Sequence, residues 1–135
     1  MVTTYKKILT VNSFQEAVSK LELSGDDYVA VAKLNKLVKK LAPATEQFQE
    51  LVEDLRLDHC YKDGAKIVRE NGQFQWTAEG EKAFRKAYKE LLEKEVSVEV
   101  SPISYSDIYA ILPKAAQAAN KWEEVQETLS PLFVE

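Results

Sequence analysis

The sequence predicts a mainly helical α+β domain. Apolar residues recur at helical spacing through long charged segments, an Asn71-Gly72 dipeptide sits between short runs with strand character, and Val96, Val98 and Val100 alternate with polar residues. Helices then have to cover the small antiparallel sheet that contains the Asn-Gly hairpin, because so few strands cannot bury an apolar face alone.

Taken in order, residues 5–11 read as a short strand with Tyr5, Leu9 and Val11 on one face. A helix follows, opened by a capping box formed either by Asn12 with Gln15 or by Ser13 with Glu16. Phe14, Ala17, Val18 and Leu21 lie along it, and Gly25 suits its C-terminal cap because glycine enters the left-handed region without steric cost. Ser24 or Asp26 caps a second, longer helix. Its stripe is Val31, Leu34, Val38 and Leu41, continuing as Phe48, Leu51, Val52 and Leu55, the spacing of a helix packed along its length. Pro43 falls within the stripe. Proline lacks an amide and clashes with the preceding turn, costing about 3 kcal/mol in a helix interior. Either one long helix kinks near residues 39–43, or two helices meet with Pro43 in the first turn of the second. The unbroken stripe favours the kink.

Tyr61-Lys62-Asp63-Gly64 closes this segment. A two-residue turn at Asn71-Gly72, where both positions need positive φ, pairs Arg69 with Phe74 and Ile67 with Trp76. Ile67, Phe74 and Trp76 then share a face expected to be buried. Thr77 caps a helix over residues 78–94 with Glu79 near its favourable dipole end, and Phe84, Ala87, Tyr88, Leu91 and Leu92 form its stripe. The valine strand ends at Pro102. A short helix is expected from a cap within residues 104–107 through Leu112. Pro113 opens a last helix with Ala115, Ala118, Ala119, Trp122, Val125 and Leu129 on one side. Pro131 ends it and leaves the apolar tail Leu132-Phe133-Val134. The expected organisation is a single domain over residues 1–135, with 109–135 as a helical extension.

Composition narrows the function. The 135 residues carry 18 Lys plus Arg against 22 Asp plus Glu, a formal net charge of -4, which disfavours nucleic acid as the main partner. One Cys and one His provide neither an internal disulfide nor a four-ligand zinc site within the chain. The longest apolar run, residues 28–32, is far below the ~20 residues of a membrane span, and no ~7–15-residue signal core is evident. A cytoplasmic protein is the expectation.

The landmarks stand in a recognisable order: Leu21-Glu22-Leu23-Ser24-Gly25 before a long charged helix, Lys62-Asp63-Gly64 at its end, an Asn71-Gly72-Gln73-Phe74 hairpin, a helix ending Leu91-Leu92-Glu93-Lys94-Glu95-Val96, a valine-rich strand, and Ser106-Asp107-Ile108. Over about residues 12–108 this resembles a family of small uncharacterised proteins encoded by tailed bacteriophages. The resemblance implies a phage or prophage origin and a non-enzymatic accessory role in the virion or its assembly, with no catalytic residues to carry over. Pro43 and the helix after Pro113 depart from the family pattern.

Candidate chemistry is sparse. Asp58-His59-Cys60 is the only cluster of reactive side chains. A Cys–His nucleophile needs its partners within hydrogen-bond reach, and sequence neighbours at a helix end point apart, so a structural role is preferred to catalysis or to a metal half-site shared between subunits. The glycines at 25, 64, 72 and 80 are too scattered for a phosphate loop. Lys82, Arg85, Lys86 and Lys89 alternate with Glu79, Glu81, Glu90 and Glu93, the pattern of helix-stabilising pairs. Lys33, Lys36, Lys39 and Lys40 have no acidic residue among them, whereas Glu46, Glu50, Glu53, Asp54 and Asp58 follow. Such a segment reads as a solvated helix face, as one that pairs antiparallel with a second copy, or as one that binds two differently charged surfaces.

The expected partner-binding residues are Trp122, Val125, Leu129, Leu132, Phe133 and Val134, an apolar set next to small residues, with the tail either docking into a partner or folding back onto its own domain. No enzyme activity, cofactor, metal or small-molecule substrate is expected. The functional expectation is a virion-associated structural or assembly protein acting through protein contacts with a virion component or itself, in the host cytoplasm or incorporated in the particle. The alternative is a host-directed binding protein, such as an inhibitor of a bacterial enzyme or defence system.

Overall fold

The computed structural model describes residues 1–25, 27–104 and 132–134. Their order is β1 (Val2–Thr4), α1 (Tyr5–Ser19), α2 (Asp27–His59), β2 (Lys62–Asp63), β3 (Lys66–Ile67), β4 (Arg69–Glu70), β5 (Gln73–Phe74), α3 (Ala78–Leu92), β6 (Glu95–Ser97), β7 (Ile103–Ser104) and β8 (Phe133–Val134). The fold is α+β and mainly helical, and the two-stranded sheets among the described residues are three antiparallel and one parallel. The chain divides into two compact units, Met1–Thr45 with Glu95–Glu135, and Glu46–Lys94. The sequence did not foreshadow that division.

In the first unit, β1 pairs antiparallel with β6, Thr3 opposite Val96. The ladder extends one step further. The Val98 amide donates to the Met1 carbonyl at 2.9 Å, and the Met1 amine donates to the Val98 carbonyl at 3.1 Å. The valine strand is therefore shorter than its alternation implied, ending before Val100. Thr3 is buried, and its hydroxyl has no hydrogen-bond partner among the described residues. A buried unpaired hydroxyl opposes folding, and valine has nearly the same shape. Thr3→Val is expected to raise stability by about 1 kcal/mol, read as a higher urea midpoint.

The strand expected over residues 5–11 is instead the beginning of α1. Thr4, extended, is its N-cap, and the hydroxyl accepts from the Lys7 amide at 3.3 Å. The reason lies in the apolar spacing. Tyr5, Ile8, Val11, Phe14 and Val18 follow one another at intervals of three and four and are all buried, whereas Leu9 is only half-buried. The capping box expected at Asn12 or Ser13 is thus not a helix start. Asn12 Nδ2 donates to Thr45 Oγ1 at 3.0 Å and Gln15 Nε2 to Asn35 Oδ1 at 2.9 Å, tying α1 to α2. Nor does Gly25 cap α1, which ends at Lys20 in a right-handed conformation. With φ of +57°, Gly25 forms the turn into α2. There the Ser24 amide donates to Asp27 Oδ2 at 3.2 Å; the expected cap Asp26 lies outside the described residues.

α2 is one helix of 33 residues with Pro43 inside it, so the reading of two helices meeting at Pro43 is overturned. Pro43 is exposed, and the Thr45 hydroxyl donates to the Leu41 carbonyl at 3.3 Å in the same turn. The buried seam is Ala30, Leu34, Leu37 and Leu41. Val31 and Val38, expected in it, are half-buried, because the seam runs through the residue just before each. Leu132 is fully buried, and its carbonyl accepts from the Ile103 amide at 3.0 Å. β8 then pairs with β7 in parallel, Ile103 opposite Phe133 and Ser104 opposite Val134, a ladder the expected antiparallel sheet did not include. The helices expected over 104–112 and 113–130 lie outside the described residues.

In the second unit, Phe48, Val52 and Cys60 are buried. The Asn71-Gly72 turn forms as expected, with φ of +53° and +77° and with Arg69 opposite Phe74. Ile67 does not pair with Trp76. It pairs with Lys62 in a second hairpin whose turn uses Gly64 at φ +65°. Tyr61 links the hairpins by donating to the Gln75 carbonyl at 2.7 Å and accepting from the Val68 amide at 3.4 Å. Ile67, Phe74 and Trp76 are half-buried rather than buried. Trp76 meets Phe84 in a tilted contact at 5.1 Å between centroids, Phe84 meets Tyr88, and Tyr88 meets Phe48, the last two each at 5.9 Å. These aromatic contacts join the hairpin, α3 and the C-terminal half of α2. Thr77 caps α3 as expected, accepting from the Gly80 amide at 3.0 Å, and α3 ends at Leu92.

Candidate interaction surface

The charged segment of α2 acquires geometry once the buried seam sets the helix phase. With Ala30, Leu34, Leu37 and Leu41 turned inward, Val29, Lys36, Lys40 and Pro43 fall on an outward stripe of the first unit and are exposed; in the second unit Gln47, Glu50 and Asp54 are exposed. Lysines occupy the N-terminal half and carboxylates the C-terminal half. Lys36, Lys40, Glu50 and Asp54 enter no ion pair among the described residues, while Glu53 meets Arg56 at 3.5 Å. Lys39 and Glu46 are also exposed, Lys39 to one side of the stripe. Apolar side chains mark both ends: Val29 is 59% and Tyr61, just beyond the helix, 43% exposed. The neighbouring Tyr28 is also exposed, its hydroxyl donating to the Leu23 carbonyl at 3.2 Å.

Lys33, Lys36 and Lys40 also border a cleft of about 200 Å³ floored by Leu37 and closed by residues 101–103. Its rim is cationic and its floor apolar.

Of the residues expected to bind a partner, Trp122, Val125 and Leu129 lie outside the described residues. Leu132 has no exposed surface and is core, so it is unavailable as an anchor in this fold. Phe133 and Val134 form β8, which folds back onto β7 of the same chain. In Asp58-His59-Cys60, Cys60 is buried and its thiol donates to the Leu57 carbonyl at 3.6 Å. The His59 carbonyl lies against Gly80. Among the described residues no group of three or more His, Cys, Asp or Glu is placed to hold a metal ion. No helix among them is long and apolar enough to cross a membrane. Burial pushes the Tyr5 phenol above its ordinary pKa.

Sequence reasoning found the segregated charges but not which of them share a face. The missing signal was the helix phase, carried by Ala30 and Leu37, residues the expected stripe passed over. No protein-family model, curated protein or solved structure matches the chain.

Proposed function

We propose that this chain is a non-enzymatic accessory protein of a tailed bacteriophage, a virion-associated structural or assembly component working through protein–protein contacts in the bacterial host. The observation that carries the contact role is the exposed charge of α2, where Lys36, Lys40, Glu50 and Asp54 enter no ion pair among the described residues. Charge arranged in this way selects partners and fixes their register. The phage assignment is supported by the order of landmarks from Leu21 to Ile108. Trp122, Val125 and Leu129 are proposed as further anchors, whereas Leu132 serves the core.

Mass spectrometry of purified particles tests the role. The expected result is this protein at a fixed copy number per particle. Its absence from particles, together with stoichiometric co-purification with one bacterial enzyme, would replace this role with the host-directed one.

A further inference from the structure

We infer that Asn71 is a site of spontaneous covalent modification, losing its side-chain nitrogen as ammonia and leaving a carboxylate in the turn between β4 and β5. Asn71 and Gly72 are both exposed, with φ of +53° and +77°. Among the described residues the Asn71 side chain has no hydrogen-bond partner, and the Gly72 amide has no backbone acceptor. A Cβ added at Gly72 would meet nothing within 4 Å. The Gly72 nitrogen is therefore unengaged, uncrowded and open to water.

The reaction is a ring closure followed by hydrolysis. The Gly72 nitrogen bonds to Asn71 Cγ, the Cγ–Nδ2 bond breaks, and the proton given up by Gly72 leaves with Nδ2 as ammonia. Water then opens the cyclic imide. Cleavage of the new bond to Cγ gives aspartate. Cleavage at the main-chain carbonyl carbon instead routes the chain through Cγ, as isoaspartate. The sum is one water consumed, one ammonia released and one negative charge gained near neutral pH, with nothing oxidised or reduced. Ring closure requires Asn71 to leave its left-handed conformation. The hairpin permits this, because each strand is two residues long and residues 69–73 are all exposed, so it opens without uncovering core. The isoaspartyl product adds a main-chain carbon to a two-residue turn, which then no longer fits the Arg69–Phe74 and Glu70–Gln73 pairs.

Asn12 and Asn35 lack these conditions. Both lie inside helices, where the amide of the next residue is held by the carbonyl four residues before it. Their side chains are also engaged, Asn12 Nδ2 donating to Thr45 Oγ1 and Asn35 Oδ1 accepting from Gln15 Nε2. Ser13 and Lys36 follow them, each with a side chain that crowds the nitrogen where Gly72 has none.

Peptide mass spectrometry of the full chain, held folded in warm, mildly alkaline buffer, provides the test. The peptide containing Asn71 is expected to gain one mass unit with time, while those containing Asn12 and Asn35 stay unchanged. On anion exchange the aged protein is expected to yield two more acidic species. Asn71→Asp begins as one of the two products, so it marks where that species elutes and itself gains no mass. A folded chain whose Asn71 peptide keeps its mass overturns the inference, and a gain seen only in guanidinium would show that the closed turn protects the site. An equal gain at Asn12 or Asn35 overturns it as well.

Discussion

Ile8→Ala is expected to destabilise the protein by about 2–5 kcal/mol, and Leu9→Ala by clearly less, under about 2 kcal/mol. Ile8 is fully buried on the inward face of α1, and truncating it removes apolar contacts and leaves a cavity. Leu9 points partly to water. The comparison separates the two conformations of this segment. A strand through residues 5–11 places Leu9 inward with Tyr5 and Val11, and Ile8 outward. A helix places Ile8 inward with the same two residues. Urea unfolding of both variants reads the difference directly, and a larger loss at Leu9 would contradict the helix.

Gly80→Ala is expected to cost about 1–3 kcal/mol, against the usual direction of such a change. At an open helix position, alanine in place of glycine stabilises by up to about 1 kcal/mol. Here a Cβ would lie 2.5 Å from the His59 carbonyl oxygen and 3.1 Å from Thr77 Oγ1. The first is backbone at the end of α2, and the second is the hydroxyl that caps α3. Neither yields without moving a helix end. Gly80 therefore permits the close approach of α3 to the end of α2. A melting temperature that rises in Gly80→Ala would show that this approach is loose.

The parts of the fold legible in the sequence are those fixed by local chemistry. The Asn71-Gly72 turn needs positive φ at both positions, and Thr77 needs only its own helix, so both form where expected. The start of α1 was not legible, because Tyr5 and Val11 are inward in either conformation and only the tertiary partner chooses Ile8 over Leu9. Ile67 was assigned to Trp76 by extending one hairpin. The Gly64 turn and the pairing with Lys62 depend on a competing ladder two residues long. Pro43 was weighed correctly as compatible with one helix, since a single missing amide is outweighed by burial at Leu34, Leu37, Leu41 and Phe48 on either side. The parallel strand at Phe133 had no local signal, because a two-residue strand is defined by its partner alone. In the candidate surface, the residue types were readable and the shared face was not. Helix phase is a property of packing, and Ala30 is too small an apolar residue to announce it.

The account turns on a contact role for this chain in the virion, and mass spectrometry of purified particles tests it most directly. The result expected is this protein at a fixed copy number per particle. Its absence from particles would contradict the account.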